Sequence, residues 1–129
     1  MTQCIEQLRL GILHRKQLTG TFDGGDISSD GGLLLLAQAD QRLGLTRQLA
    51  ACVRDGRQPG KVRHRVAELL AQRVYQIAAG YEDCNDADDL RHDPVLKTVV
   101  GRLPQTGPAL ASQPTLSRFE NRVTRRELW

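Results

Sequence analysis

Potential metal ligands are densest at positions 82–93, where six carboxylates fall within a dozen residues. Carboxylate oxygens are the usual ligands of calcium and magnesium, so the DCNDADD run invites comparison with a calcium loop. An EF-hand loop starting at Asp83 requires glycine at its sixth position and glutamate at its twelfth, where this chain has Asp88 and Pro94. A two-metal nuclease site needs carboxylates from separate elements, which one loop rarely brings together. We predict no metal site and no catalytic residue here, and expect the carboxylates to cap helices or pair with Arg91 or Arg73.

A second segment, positions 112–126, combines hydroxyl groups with arginines. A helix starting near Pro114 would present hydroxyls and free backbone amides at its first turn, where a phosphate oxygen can bind. Arg118 and Arg122 are four residues apart and would share one helix face. The alternative is an amphipathic helix that only packs on the core. We predict that the DNA-binding residues are Ser112, Gln113, Thr115, Arg118, Arg122, Arg125 and Arg126.

Other catalytic and ligand-binding motifs lack support in the sequence. The glycines of GGDISSDGG are not followed by the lysine of a phosphate-binding loop, and no GxSxG segment places a serine nucleophile. The three cysteines are odd in number and far apart, so they indicate neither a disulfide framework nor a CxxC metal site. The histidines are equally scattered. These observations argue against a hydrolase, a nucleotide-binding protein and a zinc protein.

Composition favours one helical domain with a segregated charge. The chain has 129 residues, 40% of them hydrophobic but only 4% aromatic, so its core must be built from aliphatic side chains that suit helices. From position 94 onward six cations face two carboxylates, a net charge of +4, whereas the whole chain carries +3. Such segregation is typical of a phosphate-binding surface, although a solvated helix face would look the same. No apolar run approaches the length of a membrane span, and we expect a cytoplasmic protein.

The pattern of apolar residues predicts a mainly α fold, a helical domain with a short N-terminal β strand or hairpin. Residues 1–18 show a weak helical stripe, and 19–29 suit a strand or hairpin with a Gly-Gly turn. Ser29 or Asp30 would cap a well-buried helix through the leucine run to Leu43, which Gly44 ends. Further helices are predicted at 45–53, 62–77, 86–90, 95–100 and 114–123.

Three segments together resemble a known family: FDGGDISSDGGLLLLAQAD (22–40), QIAAGYEDCNDADDLRHDPVLK (76–97) and SQPTLSRFENR (112–122). They are similar to the N-terminal part of bacterial insertion-sequence transposases of the DDE domain group 1 family. The resemblance implies recognition of terminal inverted repeats and a ribonuclease-H-like catalytic domain. It also implies strand cleavage with divalent metals, such as magnesium, held by two aspartates and a glutamate. The first of these aspartates lies downstream of the SRFEN segment in the family, so none is assigned here.

The resemblance leads us to expect a truncated transposase with a DNA-binding and assembly region at 19–129 and no catalytic domain. The weakly defined helix at 1–18 is predicted from the apolar pattern alone. We expect this fragment to hold no cofactor and to be inactive alone. Its expected partners are double-stranded DNA carrying terminal inverted repeats, another copy of itself, or full-length transposase. Two alternatives stay open: a fragment that inhibits full-length transposase through its leucine-rich helix, and a non-functional relic that does not fold stably.

Overall fold

A computed structural model describes residues 7–127 and places a β-hairpin ahead of six α-helices. This confirms the predicted mainly α class with an N-terminal hairpin. Short 3₁₀ turns lie at Pro59–Lys61 and Arg125–Glu127. The strands and helices are β1 (Gln7–Leu13), β2 (Lys16–Thr21), α1 (Leu33–Leu43), α2 (Leu45–Cys52), α3 (Val66–Ala78), α4 (Ala87–Leu90), α5 (Pro94–Val100) and α6 (Gln113–Arg122).

The hairpin replaces the helix predicted for residues 1–18, which is wrong over the described part, 7–18; residues 1–6 lie outside the described range. β1 and β2 pair antiparallel, and Leu13 opposite Lys16 leaves a two-residue turn. His14 and Arg15 adopt left-handed backbone angles, with φ of 48° and 64°, as a tight hairpin turn with the twist of its strands requires. The predicted strand at 19–29 is correct only for its first three residues, and the Gly-Gly pair lies in a bend after β2. Leucines and isoleucines two residues apart fit a strand as well as a helix, so periodicity alone does not distinguish the two in this segment.

Two clusters of buried side chains make up the core, and α3 contributes to both. The first lies where the hairpin, α1, α3 and α5 meet: Leu13, Leu33, Ala37, Tyr75, Leu96, Val99 and Leu110. The second joins the start of α3 to α4 and α6: Val66, Leu69, Cys84, Ala87, Ala111, Leu116 and Phe119. The apolar stripe predicted for 62–77 is confirmed in its centre, but the helix begins four residues later, at Val66. α3 therefore fixes the position of α6 relative to the rest of the fold.

The leucine run of α1 is much more exposed than predicted. Leu33 is 6% exposed and Ala37 2%, but Leu35 is 71% and Leu36 41% exposed. Successive helical residues turn by about 100°, so four consecutive leucines surround the helix, and α1 packs against its neighbours with one side only. The prediction of a well-buried helix is wrong for this reason. α2 has no buried residue.

Helix ends agree with the sequence in part. Gly44 ends α1 with a left-handed φ of 70°, as predicted. The predicted side-chain cap by Ser29 or Asp30 is wrong: Gly32 precedes the helix, and the Asp30 carboxylate instead accepts a 3.0 Å hydrogen bond from the Tyr81 hydroxyl. α5 starts at Pro94, and the preceding Asp93 accepts a hydrogen bond from a first-turn amide at 2.7 Å. No helix within residues 7–127 is long and apolar enough to cross a membrane.

Candidate nucleic-acid interface

Arg73 connects α3 and α6 to residues 81–93, which we call the acidic segment. Its side chain is almost fully buried, and its guanidinium forms an ion pair with Glu120. The same guanidinium donates to the main-chain carbonyls of Tyr81 at 3.0 Å and Asp83 at 3.3 Å, and also to that of Glu82. The backbone of the acidic segment therefore wraps around this cation. The predicted contact between Arg73 and this segment is made by carbonyls rather than by carboxylates.

The acidic side chains mostly serve the local fold. The Asp83 carboxylate accepts a hydrogen bond from the backbone N–H of Asn85 at 2.8 Å, and the Asp88 carboxylate accepts one from the backbone N–H of Gln113 at 3.1 Å. The predicted pair with Arg91 is present as a long contact of 3.9 Å to Asp88. Among the side chains of residues 7–126, no three of His, Cys, Asp or Glu come together as a possible metal site. The geometry of this segment is that of turn and helix capping.

The first turn of α6 holds three of the predicted DNA-binding residues, and part of its hydrogen-bonding capacity is already used. The hydroxyls of Ser112 and Thr115 lie 3.1 Å apart and bond to each other. The backbone N–H of Gln113 donates to the Asp88 carboxylate, which therefore lies at the positive end of the helix. A phosphate approaching this turn would meet that carboxylate, so the first turn is a weaker anion site than the sequence indicated.

The other end of α6 presents the predicted arginines. Leu116 is fully buried and Phe119 is 6% exposed, so they hold one side of the helix in the second core cluster. Arg118 is exposed and Arg122 half-buried. Arg125 and Arg126 are exposed in the 3₁₀ turn that follows the helix. The structure thus brings all four predicted arginines to one helix and its C-terminal extension.

A second basic segment lies beside this end of α6, and sequence reasoning left it out of the predicted site. We call residues 54–65 the basic loop. One Nη of Arg122 lies 3.3 Å from Asp55 Oδ1, and Arg57 forms a 2.7 Å ion pair with Asp55 Oδ2. Hydrogen bonds from Arg57, and then from Arg122, hold the pKa of the Asp55 carboxyl well below its usual range. The sequence does show that this loop is basic, since its twelve residues hold five cations and one carboxylate. It does not show that the loop lies next to α6.

The C-terminal end of the basic loop is fixed to α3 and to the segment after α5. Arg102 Nη2 lies 3.0 Å from His64 Nδ1 and 3.3 Å from a carboxylate oxygen of Glu68. The other carboxylate oxygen of Glu68 accepts from the Arg65 amide at 2.9 Å. Burial, and then the Arg102 cation, lower the pKa of His64. These bonds hold the loop at the start of α3.

Comparison with known proteins gives one family. The family model described as Transposase DDE domain group 1 matches residues 10–129. No match was found among curated proteins or among solved structures. The divalent metals implied by the resemblance are not accommodated by the side chains described, those of residues 7–126, because no three suitable ligands converge there. We assign no catalytic step to these metals. The match covers nearly the whole chain and confirms the resemblance of its three segments, so the chain belongs to the transposase DDE domain group 1 family.

Proposed function

We propose that this chain acts in DNA transposition as an N-terminal DNA-binding and assembly region that does not itself hold the catalytic metals. Membership of the transposase family supports the process. The observation that carries the DNA contact is the row of arginines at the C-terminal half of α6, whose opposite side is anchored by Leu116 and Phe119. A rigid helix with a cationic outer side suits the backbone of double-stranded DNA.

The strength of this contact should depend on salt. Each phosphate neutralised by an arginine or lysine releases counterions, so affinity falls as the salt concentration rises. Arg118 and Arg126 are the best probes, since both are exposed and neither forms an ion pair with another side chain of 7–126. Removing both should reduce the slope of log affinity against log salt by about 2.

The test is fluorescence anisotropy with a labelled duplex that carries the terminal inverted repeats of the element, and with a scrambled duplex of equal length. The Arg118→Ala, Arg126→Ala double variant is compared with Arg9→Ala, Arg42→Ala, which removes the same charge from exposed arginines of β1 and α1. Weaker binding and a shallower salt slope in the first variant alone support the proposal. Equal binding by the two variants rejects it, and equal affinity for the two duplexes rejects recognition of the repeats.

The first turn of α6 contributes less in this proposal. Ser112, Gln113 and Thr115 stay candidate DNA contacts. However, the Asp88 carboxylate already accepts the hydrogen bond from the backbone N–H of Gln113, which a phosphate would otherwise accept. Thr115→Ala should therefore weaken DNA binding less than about threefold, corresponding to loss of one neutral hydrogen bond. A larger effect would place the phosphate at the helix start.

Catalysis is not expected from this chain alone. The purified protein, incubated with magnesium and element-end DNA, should leave the strands intact. Reproducible cleavage that is lost in Asp83→Ala would overturn this part of the proposal.

The exposed leucines favour a second candidate function, pairing with a full-length transposase. Leu35 and Leu43 of α1 are each 71% exposed, and Leu45 of α2 is 53% exposed. Contiguous exposed apolar side chains mark protein contacts, and α1 and α2, which carry these leucines, pack against each other. Co-purification with full-length transposase that is lost in Leu35→Lys, Leu43→Lys, with DNA affinity unchanged, would favour this candidate. A relic that does not fold would show no cooperative thermal transition by circular dichroism.

A further inference from the structure

We infer that the basic loop is a second phosphate-contacting segment, which Asp55 docks beside α6 so that both segments grip one DNA duplex. The inference rests on the proposed function and deepens it, because it names a part of the DNA site that lies more than fifty residues away from the α6 arginines in sequence. Its three supports are the shared carboxylate of Asp55, the anchoring of the loop at both ends, and the distribution of charge over the whole chain.

Asp55 is shared by two arginines from different segments. Arg57 donates to it from Nε at 2.8 Å and from Nη2 at 2.7 Å, while Arg122 donates from Nη1 at 3.3 Å. One carboxylate cannot neutralise two guanidiniums, so a positive charge remains at the junction of the loop and the helix. The other terminal nitrogen of Arg122, Nη2, is buried and has no hydrogen-bond partner among the described residues. An electropositive junction of this kind favours an anion nearby.

The basic loop is held at both ends. Val53, just before it, packs against the second core cluster, which also holds α6. Within the loop, Arg57 Nη2 donates to the His64 carbonyl at 2.9 Å, and Arg102 holds the His64 ring at 3.0 Å. An anchored loop presents its side chains without the ordering cost of a flexible one.

The cations on this anchored loop are available for an external partner. Lys61, Arg63 and Arg65 are exposed, and none of them forms an ion pair with another residue of the described chain. Lys61 lies on the 3₁₀ turn, and the other two cations lead into α3. They are exposed charges of the loop that the Asp55–Arg122 contact joins to α6.

Charge across the chain is concentrated in these two segments. Residues 54–65 carry a formal charge of +4 and residues 118–126 carry +3, against +3 for the entire protein. The rest of the chain is therefore net negative by four charges. α6 has ten residues and so is about 15 Å long, which matches roughly four phosphates along one strand. A second basic segment beside it widens the footprint across the duplex, and duplex DNA is the partner that such a concentrated positive surface fits.

Anisotropy titrations of three double variants, each lacking two exposed cations, test the inference. Lys61→Ala, Arg63→Ala alters the loop, Arg118→Ala, Arg126→Ala alters α6, and Arg9→Ala, Arg42→Ala is the control for net charge. We expect the slope of log affinity against log salt to fall by about 2 in the loop variant and in the α6 variant. Each of these variants should also lose roughly tenfold or more in affinity at low salt. The affinity of the control variant should stay within about twofold of that of the unmodified protein. If only the α6 variant weakens binding, the inference is wrong and the proposed function stands. If neither does, both are wrong.

Asp55→Asn separates docking from charge. This substitution raises the net charge by one, so an interface that depends on charge alone would bind DNA equally well or more tightly. If Asp55 docks the loop against α6, removing its negative charge releases Arg57 and Arg122, and affinity falls several-fold, to about a third or less. Circular dichroism verifies that the variant is folded. Binding as tight as that of the unmodified protein would overturn the docking by Asp55.

Discussion

The guanidinium of Arg73, buried in the middle of the fold, forms an ion pair with the carboxylate of Glu120 on α6. Three main-chain carbonyls of the acidic segment accept hydrogen bonds from the same guanidinium. The apolar helix, the acidic segment and the SRFEN motif, which stand apart in the sequence, therefore meet at one side chain. Their joint presence in the family resemblance has a structural explanation, since each completes the surroundings of the others.

Replacing Arg73 should destabilise the fold strongly. Arg73→Met keeps the apolar stem but leaves three carbonyls and Glu120 without their donor, which we expect to cost about 2–4 kcal/mol in the free energy of unfolding. Arg118→Met removes an exposed arginine from α6 and should cost less than about 0.5 kcal/mol. Urea denaturation followed by circular dichroism measures both. A loss below about 1 kcal/mol for Arg73→Met would show that the contacts of the Arg73 guanidinium do not hold these segments together.

Two glutamines on α3 should respond differently to the same substitution. Gln72 is buried and pairs with the backbone of Ala111 through two hydrogen bonds of 2.9 Å. Gln72→Met leaves the carbonyl and the N–H of Ala111 without hydrogen-bond partners and should lower the free energy of unfolding by about 2–3 kcal/mol. Gln76 is equally buried, but neither atom of its amide has a partner among the described residues, so Gln76→Met removes a desolvation penalty. We expect this variant to be neutral, or more stable by about 1 kcal/mol. Equal losses in the two variants would contradict the difference in their hydrogen bonding.

The sequence predicted those elements whose signals are local. A stripe at steps of three and four located α3, Gly44 marked the end of α1, and Pro94 marked the start of α5. Each of these depends on the backbone preference of one residue or on the periodicity of a few turns. A local signal located α6 as well, because the sequence predicted a helix start near Pro114 and the helix begins one residue earlier, at Gln113.

Long-range contacts could not be read from the sequence in the same way. The apolar residues of 7–18 fit the periodicity of a helix and also that of a strand. The hairpin turn has left-handed backbone angles at His14 and Arg15, where glycine would have been the usual sequence signal. The docking of Asp55 against Arg122 joins residues 67 positions apart. Charge counts show that both segments are basic, but only the folded chain places them side by side.

Two leucines of one run provide a test of which side of α1 is buried. Leu33 is 6% exposed and belongs to the first core cluster, whereas Leu35 is 71% exposed. Leu33→Ala should therefore lower the free energy of unfolding by about 2–4 kcal/mol, and Leu35→Ala by less than about 0.5 kcal/mol. Chemical denaturation at low protein concentration measures both and limits self-association. A large loss for Leu35→Ala under these conditions would contradict the exposure of this side of α1 in the folded chain.

His64 should make stability depend on pH near neutrality. Burial, and then the Arg102 cation, lower its pKa in the folded protein; Arg91 and Arg63 act in the same direction, and Glu68 opposes them. Because the unfolded chain then binds a proton more readily, stability is complete above about pH 6.5 and falls as the pH drops below that value. The 3.0 Å contact from Arg102 to Nδ1 also requires that this nitrogen be unprotonated.

The measurement is the free energy of unfolding by urea at about pH 7.5 and about pH 5.5. We expect the unmodified protein to lose stability at the lower pH and His64→Asn to lose less, since the asparagine oxygen can accept from Arg102 at either pH. His92→Asn, which alters an exposed histidine, should keep the pH dependence of the unmodified protein. If His64→Asn loses as much stability as the unmodified protein does, the pH dependence arises elsewhere, and the contact between His64 and Arg102 does not control it.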